Sequence, residues 1–121
     1  MTSLARQKAV NKMQQLLLAP GGLAERLRVI TDSVVRVFRA DFSRIWVVAP
    51  GDLCQRECLH ARAADESHRC RDRRRCLHLL ASSGRYAHTD GHAHRRVPLG
   101  AYKIGRVASG EEHGFLTNDV T

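Results

Sequence analysis

Aromatic residues are scarce in this 121-residue chain: one Trp, two Tyr and three Phe, 5% of the whole. A core built without large rings must be filled by aliphatic side chains, which limits how much area each buried residue removes from water. None of those aromatics falls between Cys54 and Cys76, where seven arginines sit. A platform for stacking single-stranded bases is therefore missing there, which argues against nucleic acid as a partner. Long apolar runs are missing too. The longest, "LLLA" and "IWVVA", are far short of the roughly 20 residues needed to cross a bilayer, so no membrane association is expected. No small-residue cleavage pattern follows the first apolar run, so a secretory signal is not expected either. The expected setting is cytoplasmic.

Motifs for catalysis are also missing. There is no Gly-x-Ser-x-Gly around Ser82 or Ser83, no glycine-rich phosphate loop in "GRVASGEE", and the paired carboxylates Glu111 and Glu112, being adjacent in sequence, do not converge on a regular element. Nothing in the sequence points to an enzyme.

What is present is the balance of a small globular domain, with 43% hydrophobic and 26% charged residues and a formal charge of +8. Residues 3 to 18 carry Val10, Met13 and Leu17 at helical spacing, and Pro20-Gly21-Gly22 ends that segment. In "LAERLRVITDSVVRVFRA" the residues Leu23, Leu27, Ile30, Val34 and Val37 recur every three or four positions, which predicts an amphipathic helix with one buried face. "DFSRIWVVAP" and "CLHLLASSGRY" read as strands, and "HRRVPLG" reads as a short extended piece. "KIGRVASG" reads as two helical turns stopped by Gly110, and "GFLTNDV" as a last strand. This order predicts an α+β domain with a largely antiparallel sheet.

Three stretches, "LRVITDSVVRVFRADFSRIWVVAPG", "RRVPLGAYKIGRVASGEE" and "FLTNDV", resemble in order and character the GAF family of sensory and signalling domains. The resemblance covers about residues 22–121, with residues 1–20 matching the signalling helix that often precedes such domains. It implies an antiparallel sheet packed against helices, with the family's further C-terminal strands and helix lying past Thr121. It also implies a non-catalytic sensory or regulatory role in signal transduction, as in two-component systems. The implied partners are an unknown small-molecule ligand, adjoining signalling domains such as a histidine kinase, and a second copy in a homodimer. The implied ligand-binding positions are Tyr102, Ile104 and Val107.

Residues 52–76 depart from that family pattern as a cysteine-rich insertion holding all four cysteines. Their spacing, Cys54-x3-Cys58-x11-Cys70-x5-Cys76, forms two close pairs around a loop, a layout by which a chain wraps a tetrahedral ion. In a reducing compartment clustered cysteines point to metal or redox chemistry rather than structural disulfides. Zinc is the first expectation, and an iron–sulfur cluster or a thiol–disulfide switch are the alternatives. A small zinc-dependent module whose arginines 69–75 meet phosphates is a rival reading.

Asp52 is expected to cap a short helix that puts Cys54 and Cys58 on one face. Between Cys54 and Cys76, seven arginines against four acids leave +3. That charge is expected to offset a tetrathiolate site and to depress the thiol pKa values. His60 and His78, each two residues after a cysteine, are candidate substitute ligands, and His88, His92 and His94 form a weaker histidine group.

Overall fold

The computed structural model describes residues 2–18, 20–55, 58–63, 68–85, 87–89, 93–114 and 116. The elements run α1 (Ser3–Leu17), α2 (Leu23–Phe38), β1 (Phe42–Ala49), β2 (Cys76–Gly84), β3 (Arg96–Pro98) and α3 (Tyr102–Ala108). Two 3-10 turns lie between them, at Leu59–Arg62 and Ala93–Arg95. The three strands form one sheet in the order β1-β2-β3. Strands β2 and β3 are antiparallel, with Cys76 opposite Pro98, Leu77 opposite Val97 and His78 opposite Arg96. The α+β class and the positions of the first two helices, the three strands and the helix before Gly110 agree with the sequence reading, whereas the short helix expected after Asp52 is not among the described elements. The predicted strand in "GFLTNDV" lies outside the described residues apart from Gly114 and Leu116, which are not in a strand. Among the described residues no helix is long and apolar enough to cross a membrane.

Strand β2 is buried or half-buried from Cys76 to Ser83, and as the middle strand it is paired along both edges. Its sequence accordingly reads as a nearly continuous apolar and small run.

The chain divides into two compact units, Met1–Trp46 with Leu79–Gly91, and Val47–His78 with His92–Thr121. In the first unit α1 packs on α2. Thr2 caps α1 by accepting a hydrogen bond from the Ala5 amide at 3.1 Å. No residue of α1 is buried, which fits its narrow apolar stripe. The interior combines Val37, Leu79 and Ala81 with the hydroxyls of Thr31, Ser82 and Ser83. Those hydroxyls need partners, because an unpaired polar group in the interior costs about 1–3 kcal/mol. Ser83 donates to the Asp32 carboxylate. The Thr31 hydroxyl donates to the Arg28 carbonyl at 3.1 Å and lies 2.7 Å from the Ser83 oxygen. Ser82 accepts from Arg44 Nε at 3.1 Å. The two serines that carry no nucleophile motif thus serve to fasten β2 to α2 and β1.

Gly84 ends β2 at φ 88°, and a Cβ there would lie 2.4 Å from the Asp41 carbonyl oxygen. The close approach lets the Arg85 amide donate to that same carbonyl at 3.0 Å. Both the left-handed φ and the lack of space require glycine.

The second unit is filled by Ala61, Cys76, Leu77, Val97 and Ala101. Helix α3 lies against β3 at Gly105, where a Cβ would sit 2.4 Å from the Pro98 carbonyl oxygen.

Gly84→Ala combines a strained φ with a backbone clash and is expected to lower stability by at least about 2 kcal/mol. Urea denaturation followed by far-ultraviolet circular dichroism checks this, and an unchanged midpoint would contradict it.

Candidate metal centre

Residues 50–75 leave the sheet after β1 and return to it at Cys76, and the described part of this excursion includes the 3-10 turn Leu59–Arg62. Backbone hydrogen bonds hold this excursion together. The Gly51 amide donates to the Arg73 carbonyl at 2.9 Å, closing the two ends of the segment on each other. The Cys58 amide donates to Leu53 O at 3.0 Å, and the Cys70 amide donates to His60 O at 2.8 Å. The cysteines at 58 and 70 are therefore wired to either side of the same short turn.

The result is that Cys54, Cys58, Cys70 and Cys76 all line one small cavity of about 10 Å³, together with Gly51, Asp52, Leu53, Arg96, Val97 and Pro98. Cys76 is buried and the other three are half-buried, and all four are free thiols. Gly51 is required at this rim, because a Cβ on it would lie 2.6 Å from Cys54 Sγ and 2.5 Å from the Arg73 carbonyl oxygen. Among the described residues, no three His, Cys, Asp or Glu side chains are already converged as a metal-holding group. The thiols share a cavity wall, and closing on an ion requires their side chains to turn inward.

Electrostatics at the site differ from the sequence expectation. Burial raises the Cys70 thiol pKa, and the neighbouring Cys54 and Cys58 raise it further, against smaller lowering contributions that include Arg73. Burial pushes Cys76 up to about 11, with Cys70 and Cys54 adding to the rise and Arg96 opposing it. The expected depression by arginines fails at these two thiols for a geometric reason. Arg71, Arg73, Arg74 and Arg75 are exposed to water, where their charge is screened. Asp72 sits among them, accepting from the Arg74 amide at 3.0 Å and pairing with the Arg75 side chain at 3.4 Å.

The cation at the cavity is Arg96, which the sequence did not single out. Its guanidinium makes a two-point hydrogen bond to Asp52, 2.7 Å from Nε to one carboxylate oxygen and 2.8 Å from the terminal nitrogen to the other. This forked geometry binds more strongly than a single contact. It holds the Asp52 carboxyl down to about 2. Asp52 is consequently not the cap of a helix. Among the described residues, 52–55 form a bend and turn rather than a helix, and the carboxylate that was to cap one is taken by Arg96.

Neither candidate histidine lines the cavity. The His78 ring donates through Nε2 to the Pro50 carbonyl at 2.8 Å. His60 is 3% exposed and turns toward Tyr102, with Nε2 and the phenol oxygen 3.0 Å apart. Burial, with lesser contributions from His94 and His68, lowers the His60 pKa and keeps the ring neutral. His68 stacks on the Tyr102 ring at 4.1 Å between centroids, and His94 meets its edge at 5.0 Å. Of the weaker histidine group, His88 is exposed and His92 lies outside the described residues.

The three positions implied by the resemblance as ligand contacts are not brought together in this cavity. Tyr102 is enclosed by histidines, Ile104 is half-buried and Val107 is exposed. The histidine and tyrosine cluster draws on four separate segments, so no local spacing announces it. Comparisons with known protein families, with curated proteins and with solved structures find no match.

Asp52 has a folded pKa below its usual value. The stability contributed by its pairing with Arg96 is therefore complete above about pH 4 and is lost as pH falls toward 2. The carboxylate is about half exposed, 49%, so screening limits the contribution to about 1 kcal/mol or less. Asp52→Asn should remove this acid-range dependence, as measured by denaturation at pH 5, 3.5 and 2.5, and an identical pH profile would contradict the assignment.

Proposed function

We propose that this chain is a non-catalytic sensory or regulatory domain of the GAF type whose cysteine segment binds one metal ion through Cys54, Cys58, Cys70 and Cys76. The observation that carries this reading is the placement of all four thiols, spread over twenty-three residues, Cys54 to Cys76, on the wall of one cavity. The order of helices and strands supports the GAF-type assignment, since it follows the order that the resemblance implies. In this reading α1 joins the domain to a neighbouring signalling domain such as a histidine kinase or to a second copy. Tyr102, Ile104 and Val107 remain the positions proposed for a small-molecule ligand.

Four cysteines fill a tetrahedral shell, which suits zinc in a structural role and leaves no open position for chemistry on a substrate. Nucleic acid is not the favoured partner, because the exposed arginines have Asp72 between them and no aromatic residue in their segment.

The test is metal analysis with an absorption spectrum on untagged protein purified without oxygen. One equivalent of zinc and no visible colour is the expected result, and Cys54→Ser or Cys76→Ser should each reduce zinc affinity by about a hundredfold or more. A brown protein would replace zinc with iron and sulfur, and protein free of every metal would overturn the metal reading.

A further inference from the structure

Tyr102 occupies a position that the cavity alone does not explain. It opens α3 with φ at 57°, a left-handed conformation rare for a bulky side chain. Such a backbone persists only when its surroundings hold it there. Here the surroundings are identifiable. The His60 ring shares a hydrogen with the Tyr102 hydroxyl across 3.0 Å, the His68 ring covers its face at 4.1 Å with planes 12° apart, and His94 closes its edge.

Two of those three rings belong to the cysteine segment. His60 lies in the turn that follows Cys58, and its own carbonyl accepts from the Cys70 amide at 2.8 Å. His68 is two residues from Cys70. Any event that fixes Cys58 and Cys70 relative to each other therefore fixes the His60 and His68 rings as well. On its other side Tyr102 leads into a helix held to β3 through Gly105 and through the Ala101 amide, which donates to Pro98 O at 3.2 Å.

We propose that Tyr102 is the coupling residue that transmits occupancy of the cysteine site to α3. This inference rests on the metal reading of the site. An ion bound by all four thiols holds Cys58 and Cys70 in the arrangement in which His60 and His68 clamp Tyr102, and so holds the left-handed start of α3. Without the ion the clamp loosens and the helix start relaxes toward an ordinary backbone conformation. The clamped state already lines one cavity with all four cysteines, and an ion that binds this arrangement better than others shifts the equilibrium toward it.

Hydrogen exchange with and without zinc tests this on the full chain, with residues 58–63 reporting on the site and residues 103–109 reporting on α3. Zinc should slow exchange in both stretches of the wild type, by about tenfold in α3, within the range usual for coupled sites. In Tyr102→Ala zinc should still protect residues 58–63 but leave residues 103–109 within about twofold of the metal-free rate. If that variant does not fold, Tyr102→Phe, which removes only the hydroxyl, should reduce the α3 protection by about threefold or more. Zinc that protects residues 58–63 of the wild type without slowing α3, or that slows α3 equally in the variants, overturns the coupling and leaves the metal reading intact. Absence of zinc binding overturns both.

Discussion

A segment as long as residues 50–75, whose described part includes the short 3-10 turn Leu59–Arg62, has to be tied down from several sides if it is to hold one conformation. Closing so long a loop carries an entropy cost that hydrogen bonds at its ends only partly offset. In this protein the ties converge. The Gly51–Arg73 backbone bond closes the neck of the segment, the Asp52–Arg96 fork fixes its start to β3, and Cys76 is both the end of the segment and the first residue of β2. The four thiols line the cavity where these ties meet. The geometry of everything downstream, from the β2–β3 register to the clamp on Tyr102, depends on that convergence.

The interior on either side is modest. Among the described residues the largest side chains below 2% exposure are Val97, Thr31 and Ser82, with Leu77 and Leu79 nearly as covered. Leu4, Leu18, Leu23 and Phe38 remain more than half exposed. Hydrophobic burial of this size leaves a domain dependent on other contributions, and small domains often add a structural metal for that reason. An ion bound only by the folded arrangement adds its binding free energy to folding. The proposed site would thus stabilise the cysteine segment. It would also give the domain a state that depends on metal supply, the kind of dependence a regulatory module can use.

The regular elements were legible in the sequence because their periodicities are strong and locally determined. The four- and three-residue intervals from Leu23 to Val37 specify α2, and the β-branched run before Pro50 specifies β1. The grouping of cysteines was legible as a pattern, since two close pairs around a loop are a spacing signal. The local geometry at the site was not. Asp52 was expected to serve the backbone of a helix, but its partner is Arg96, forty-four residues away, and nothing near Asp52 reveals a pairing made across the fold. The same holds for Tyr102, whose neighbours come from three other segments. The expectation that the many arginines depress the thiol pKa values failed at Cys70 and Cys76 because net charge in a stretch of sequence says nothing about where the charges point. Most of them face water, while burial governs these two thiols.

The central claim is that four sulfurs and nothing else surround one ion. X-ray absorption at the zinc edge measures this directly on the purified, untagged protein. The account predicts a single shell of four sulfurs at about 2.3 Å with no nitrogen or oxygen scatterer. A shell containing imidazole nitrogen, or fewer than four sulfurs, would contradict it.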